Sequence, residues 1–91
     1  MSYKNELLTN IHKIHTTDLG IKRISKNLKI EDQNVVEYCI ELIEDKNSIV
    51  TKKGKNFYVN IDNKELTINS SSFTIITAHI KKNKSWLIVI S

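Results

Sequence analysis

Residues 56–69 read NFYVNIDNKELTIN, and their spacing decides the fold. Phe57, Val59 and Ile61 alternate with Tyr58 and Asn60. After Asp62–Asn63–Lys64 the alternation resumes, with Leu66 and Ile68 against Thr67 and Asn69. A period of two that is broken by a turn sequence predicts two antiparallel strands, each with one apolar and one polar face. Outward from this hairpin the pattern continues in both directions. SIVTK (48–52) precedes it across Lys53–Gly54–Lys55, where Gly54 is free to take positive φ. FTIITAHI (73–80) follows the serines 70–72 and is the most apolar strand, hence expected at the centre of the sheet. SWLIVI (85–90) reads as a fifth strand or a tail.

Before residue 46 the period is helical. Ser2 is a candidate N-cap for a helix through about Ile14, with Leu7, Leu8, Ile11 and Ile14 on one face. Thr16 or Thr17 can cap a second helix carrying Ile21, Ile24 and Leu28. A third helix, to about Glu44, carries Val35, Val36, Cys39, Ile40 and Ile43, with Glu37, Glu41 and Glu44 on its solvated side. The expectation is one α+β domain over residues 1–91. Three N-terminal helices (1–45) pack on one face of a C-terminal antiparallel sheet of four to five strands (46–91).

Composition bounds the function. No apolar run is long enough to span a membrane, and no targeting segment is evident, so a cytoplasmic protein is expected. One cysteine excludes an internal disulfide and a cysteine-based zinc site, and three histidines without acidic or thiol partners at fixed spacing point to no metal and no cofactor. P-loop, GxGxxG, GxSxG and HExxH motifs are absent. The net charge of +4 is unevenly placed. Residues 1–45 hold six Lys/Arg against eight acids, and residues 46–91 hold eight Lys against two. The basic half suggests an anionic partner. Thirteen Lys, fifteen Ile and ten Asn in 91 residues also fit the codon usage of an AT-rich genome.

Candidate site residues follow from the pleat. Placing Thr74, Ile76, Ala78 and Ile80 inward sends Thr77 and His79 to the polar face, beside Tyr58, Asn60, Thr67 and Asn69. A polar sheet face is also what ordinary solvation produces. His15 lies in the loop between the first two helices, next to the hydroxyls of Thr16 and Thr17 and an N-terminal helix end, and Arg23 is the only arginine, a planar fork suited to phosphate or to a structural ion pair. His79, Thr77, His15, Arg23 and Tyr58 are therefore the candidate catalytic set. Lys52, Lys53, Lys55, Lys81, Lys82 and Lys84 are expected to form one basic edge that binds nucleic acid.

KIHTTDLGIKRISKNL (13–28), KGKNFYVNID (53–62) and TINSSSFTIITAH (67–79) resemble a family of short uncharacterised bacterial proteins, catalogued as a domain of unknown function, over roughly residues 5–80. More distantly, helices followed by a meander ending in a TxITAH-type strand resemble the barnase/EndoU/colicin/RelE group of small ribonucleases. That likeness implies metal-independent RNA cleavage by a mixed set on the sheet face. Thr77 and His79 come from the T-A-H segment, and His15 and Arg23 from the helical half. The sequence departs from the group in having no clear catalytic glutamate and a single arginine.

Three readings stand open. The first is a small basic ribonuclease-like domain, a toxin or phage effector, acting on RNA or another nucleic acid. The second is a non-catalytic phage or mobile-element protein that binds and inhibits a host nucleic-acid enzyme, an anti-defence inhibitor. The third is an accessory module that homodimerises through its sheet. Convergence of His15, Arg23, Thr77 and His79 in one pocket would favour the enzyme, and dispersal would favour the binder.

Overall fold

The structure is a computed structural model that describes residues 2–30 and 34–81. Within them the fold is α+β: three α-helices, then a four-stranded antiparallel sheet. The helices are α1 (Tyr3–Thr9), α2 (Asp18–Leu28) and α3 (Val35–Glu44), with a 3₁₀ turn at Ile11–Lys13. The strands are β1 (Ile49–Lys53), β2 (Asn56–Ile61), β3 (Lys64–Asn69) and β4 (Ile75–Ile80). The expected fifth strand, with Lys82, Lys84 and Trp86, lies outside the described residues.

Local chemistry sets the helix starts. Ser2 accepts a hydrogen bond from the Asn5 amide (3.1 Å) and Thr17 from the Gly20 amide (3.0 Å), each occupying one otherwise orphaned N–H. α1 is shorter than its periodicity suggests. At Asn10 the backbone amide is shared between the carbonyls of Glu6 and Leu7, and the side-chain amide also donates to Glu6. The chain tightens into the 3₁₀ turn there, and Ile14 reaches the core from an extended residue.

One apolar cluster joins both halves. Leu7, Ile24, Leu28, Val35, Cys39 and Ile43 from the helices are buried with Phe57, Val59, Leu66, Ile68, Ile75 and Ala78 from the strands. Each fully buried Leu or Ile side chain contributes on the order of 2 kcal/mol. The Phe57 and Phe73 rings stack at 6.4 Å within it.

β4 corrects two expectations. The strand order is β1–β2–β3–β4, so β4 is an edge strand and not the central one. Its apolar character has another cause: the outer edge is covered by chain that is not strand. His15 and Thr74 form a parallel bridge, the Ile75 amide donates to the His15 carbonyl (2.7 Å), and the Thr16 hydroxyl donates to the Ile75 carbonyl (2.8 Å). Gly20 makes room for that hydroxyl, because a Cβ at this position would collide with Thr16 Oγ1. The second correction concerns the pleat. Thr67 pairs with Thr77 but Ile68 pairs with Ile75, so Ile76 is an extra residue in a bulge. Ile75 is buried and Ile76 is 41% exposed, the reverse of the expected order. Below the bulge the expected alternation holds: Ala78 is buried, and Thr77 and His79 share the polar face with Thr67 and Glu65.

Candidate functional site

The register stacks the polar face into rows. One row runs Ile49–Asn60–Glu65–His79 and the next Thr51–Tyr58–Thr67–Thr77. In the first, Glu65 and His79 are directly opposed, and His79 Nε2 lies 3.5 Å from Glu65 Oε1. It is the one approach of a basic to an acidic side chain within 4 Å among the described residues. The imidazole is 45% exposed and the carboxylate 25%, so both stay in reach of a ligand. Tyr58 and Thr77 are on the adjacent row, each diagonal to Glu65 across one strand pair.

The C-terminal end of α2 forms the other wall. Lys26, Asn27, Lys29, His79 and Ile80 line an open cleft of about 370 Å³. Asn27 fixes the walls together by donating its side-chain amide to the Ala78 carbonyl (3.0 Å). Lys29, the C-cap of α2, holds a left-handed conformation (φ 60°, ψ 45°). On the far side of His79, Lys81 Nζ donates to Asn60 Oδ1, and the Lys81 amide donates to the Asn63 carbonyl (2.6 Å). An imidazole near a carboxylate, in a cleft lined by lysines, brings a candidate acid/base group and cations suited to a phosphate to the same place.

The sequence candidates are only partly gathered here. Thr77 lies two residues before His79 on the same face of β4, whereas Tyr58 is on β2, with β3 between it and His79. Arg23 is exposed on α2, one turn before Lys26 and Asn27. His15 is elsewhere. Its Nδ1 meets the Lys13 carbonyl at 2.8 Å and its Nε2 meets Thr74 Oγ1 at 3.1 Å, at the start of β4 and roughly 15 Å along the strand from His79. His15 ties the helical half to the sheet edge. The expected single basic edge is divided as well. Lys52, Lys53 and Lys55 surround the β1–β2 turn, whereas Lys81 follows Ile80 at the opposite end of the sheet. Lys52 further turns over the Phe57 ring (5.6 Å to its centre), away from the polar face.

Two features escape the sequence reading. Glu65 precedes Thr67 and Asn69 by the same period of two that marks the polar face, and this was the available signal. Lys26 and Lys29 were hidden by totalling charge over the whole first half, where acids outnumber bases.

Among the described residues no group of three His, Cys, Asp or Glu side chains could hold a metal ion, and no helix is long and apolar enough to cross a membrane.

This geometry defines a small α+β domain with a polar-faced antiparallel meander and a basic cleft at one end. Residues 8–79 match a family described as "Protein of unknown function (DUF3781)", and the chain belongs to that family. No curated protein matches the chain, and no solved structure does.

Proposed function

We propose that this protein is a small, basic, metal-independent ribonuclease-like domain with Glu65 and His79 at its centre. In this reading the three helices cover the apolar face of the sheet and leave the polar face open to RNA. The observation that carries it is the 3.5 Å Glu65–His79 pair beside the Lys26–Lys29 cleft. The pair supplies the glutamate that the distant likeness to small ribonucleases called for.

The chemistry is that of RNA transesterification. His79 takes the proton of a ribose 2′-hydroxyl as the 2′ oxygen attacks the adjacent phosphorus. Glu65 orients the imidazole and stabilises the imidazolium that forms. The lysines of the cleft offset the charge that builds on the phosphoryl oxygens. The P–O5′ bond breaks, the 5′ oxygen takes a proton from a cleft ammonium or from water, and a 2′,3′-cyclic phosphate remains. Thr77, two residues before His79 on the same face, offers a hydroxyl toward the same phosphate, and Tyr58 extends the polar face beyond β3.

The test is incubation of the pure protein with end-labelled RNA in EDTA, beside His79→Ala and Glu65→Gln. Cleavage to cyclic-phosphate ends that His79→Ala removes and Glu65→Gln slows supports the reading, and cleavage that survives His79→Ala unchanged ends it.

A second reading is favoured by the position of His15, which leaves His79 without a second histidine. A non-catalytic binder of nucleic acid, or of an enzyme that handles it, needs no such partner. Retained RNA binding with no product at any enzyme concentration selects it.

A further inference from the structure

α2 buries Gly20, Ile24, Ser25 and Leu28, while Lys22, Arg23, Lys26 and Lys29 are all exposed. The helical period sorts these cations. Arg23 and Lys26 are neighbours three apart, with Cβ atoms about 5–6 Å from each other, on the flank from which Asn27 reaches β4. Lys29 continues the line past the helix end into the cleft that holds His79. The only acid in α2 is Asp18, at the other end of the helix. The result is a row of cations leading along α2 to the Glu65–His79 pair. The lysines of the β1–β2 turn stand at the opposite end of the sheet.

We infer that Arg23, Lys26 and Lys29 are the track on which the backbone of a single nucleic-acid strand lies as it enters the cleft. The partner is a polyanion because this side of α2 offers a cation at each turn and no carboxylate between them. It is a single strand because α2 and β4 are tied together by the Asn27–Ala78 hydrogen bond and the cleft at their ends is only about 370 Å³, too small for a double helix. The inference rests on the ribonuclease reading for its destination, but the track binds whether or not cleavage follows.

The experiment separates the two. A fluorescent single-stranded oligonucleotide of 2′-O-methyl RNA has no 2′-hydroxyl to deprotonate, so its anisotropy reports binding alone. The wild-type protein is expected to bind it with an affinity that falls as salt rises. Replacing Arg23, Lys26 and Lys29 together with Gln should weaken binding by about tenfold or more at low salt and flatten the log–log salt slope by about 2, since each lost phosphate contact contributes roughly 0.7 for a single strand. Replacing Lys52, Lys53 and Lys55 with Gln should change affinity by less than about threefold. Thermal melts confirm that each variant is folded. Should the triple α2 variant not fold, Lys26→Gln alone should flatten the slope by about 0.7. Unchanged binding by the α2 variants, an equal loss in the turn variant, or wild-type protein that does not bind the strand would each overturn the inference. Cleavage failure is read separately, on ordinary RNA, and leaves the binding result standing.

Discussion

The Asn27 side chain donates a hydrogen bond to the Ala78 carbonyl at 3.0 Å, and this one bond joins the two walls of the cleft. Asn27 follows Lys26, and Ala78 precedes His79. The bond therefore sets the distance between the cations of α2 and the imidazole of β4. It also occupies a carbonyl at the sheet edge that has no fifth strand among the described residues to pair with.

Asn27→Ala should lower stability by about 1 kcal/mol, the usual cost of losing one such hydrogen bond. Its effect on binding of the 2′-O-methyl strand should exceed that of substitutions at exposed α1 residues, because Lys26 and Lys29 lose their register on His79. Asn27→Asp should be worse than Asn27→Ala, since a carboxylate cannot donate to Ala78 and adds negative charge to the track. Melting midpoints and anisotropy on the three proteins check both orders.

For the Glu65–His79 pair the expected pattern is large on rate and small on stability. His79→Ala should reduce cleavage by about 10²–10⁴-fold, the range for loss of one acid/base group. Glu65→Gln should cost about 10–100-fold, as expected of a group that acts by orienting another. The double variant should be little worse than His79→Ala alone, because the two act as a unit. Stability should move by less than about 1 kcal/mol, because the imidazole is 45% exposed and solvent screens the contact. Single-turnover rates and thermal melts measure these separately. A large fall in melting temperature at unchanged rate would make His79 a packing residue.

The sheet was legible because β2 and β3 keep a strict period of two, and all five residues assigned to their apolar faces are buried: Phe57, Val59, Ile61, Leu66 and Ile68. β4 was legible only below its bulge. A bulge at Ile76 shifts the alternation by one, and no local residue type announces it, since Ile75 and Ile76 are the same amino acid. Its edge position was masked because the covering groups come from residues 15, 16 and 27, far away in sequence. The site was half legible for related reasons. Alternation placed Thr77 and His79 together, but hydrogen bonds that hold His15 to Lys13 and Thr74 cannot be read from composition or spacing.

Lys29 allows stability and binding to be moved in opposite directions. It caps α2 with φ 60° and ψ 45°, a left-handed conformation that favours glycine. Lys29→Gly removes the Cβ penalty and should raise stability by about 0.5–1 kcal/mol. It also removes one cation of the track, so affinity for the 2′-O-methyl strand should fall and the salt slope should flatten by about 0.7. A variant that is more stable and binds as well as the wild type would take Lys29 out of the track.

Cys39 provides a pH dependence with a definite sign. The side chain is fully buried between helix and sheet residues, and burial pushes its thiol from the ordinary value near 9 up to about 12, because a thiolate is costly where water is excluded. The unfolded chain loses this proton near pH 9, whereas the folded chain keeps it. Below pH 9 both states hold the proton, and the thiol makes stability independent of pH. Between pH 9 and about 12 the folded state binds more protons than the unfolded one, so its contribution falls steadily with rising pH. The informative quantity is the difference between wild type and Cys39→Ala, which isolates the thiol. Denaturant midpoints from pH 7 to pH 10.5 should show the wild type declining more steeply above pH 9, with the two proteins running parallel below it. In the folded protein at pH 8 the thiol should react with a disulfide reagent only as fast as the chain opens, and the rate should rise to that of a free cysteine once denaturant unfolds it. Parallel curves throughout, together with fast labelling of the folded protein, would show that Cys39 is reached by solvent and that its burial does not hold the proton.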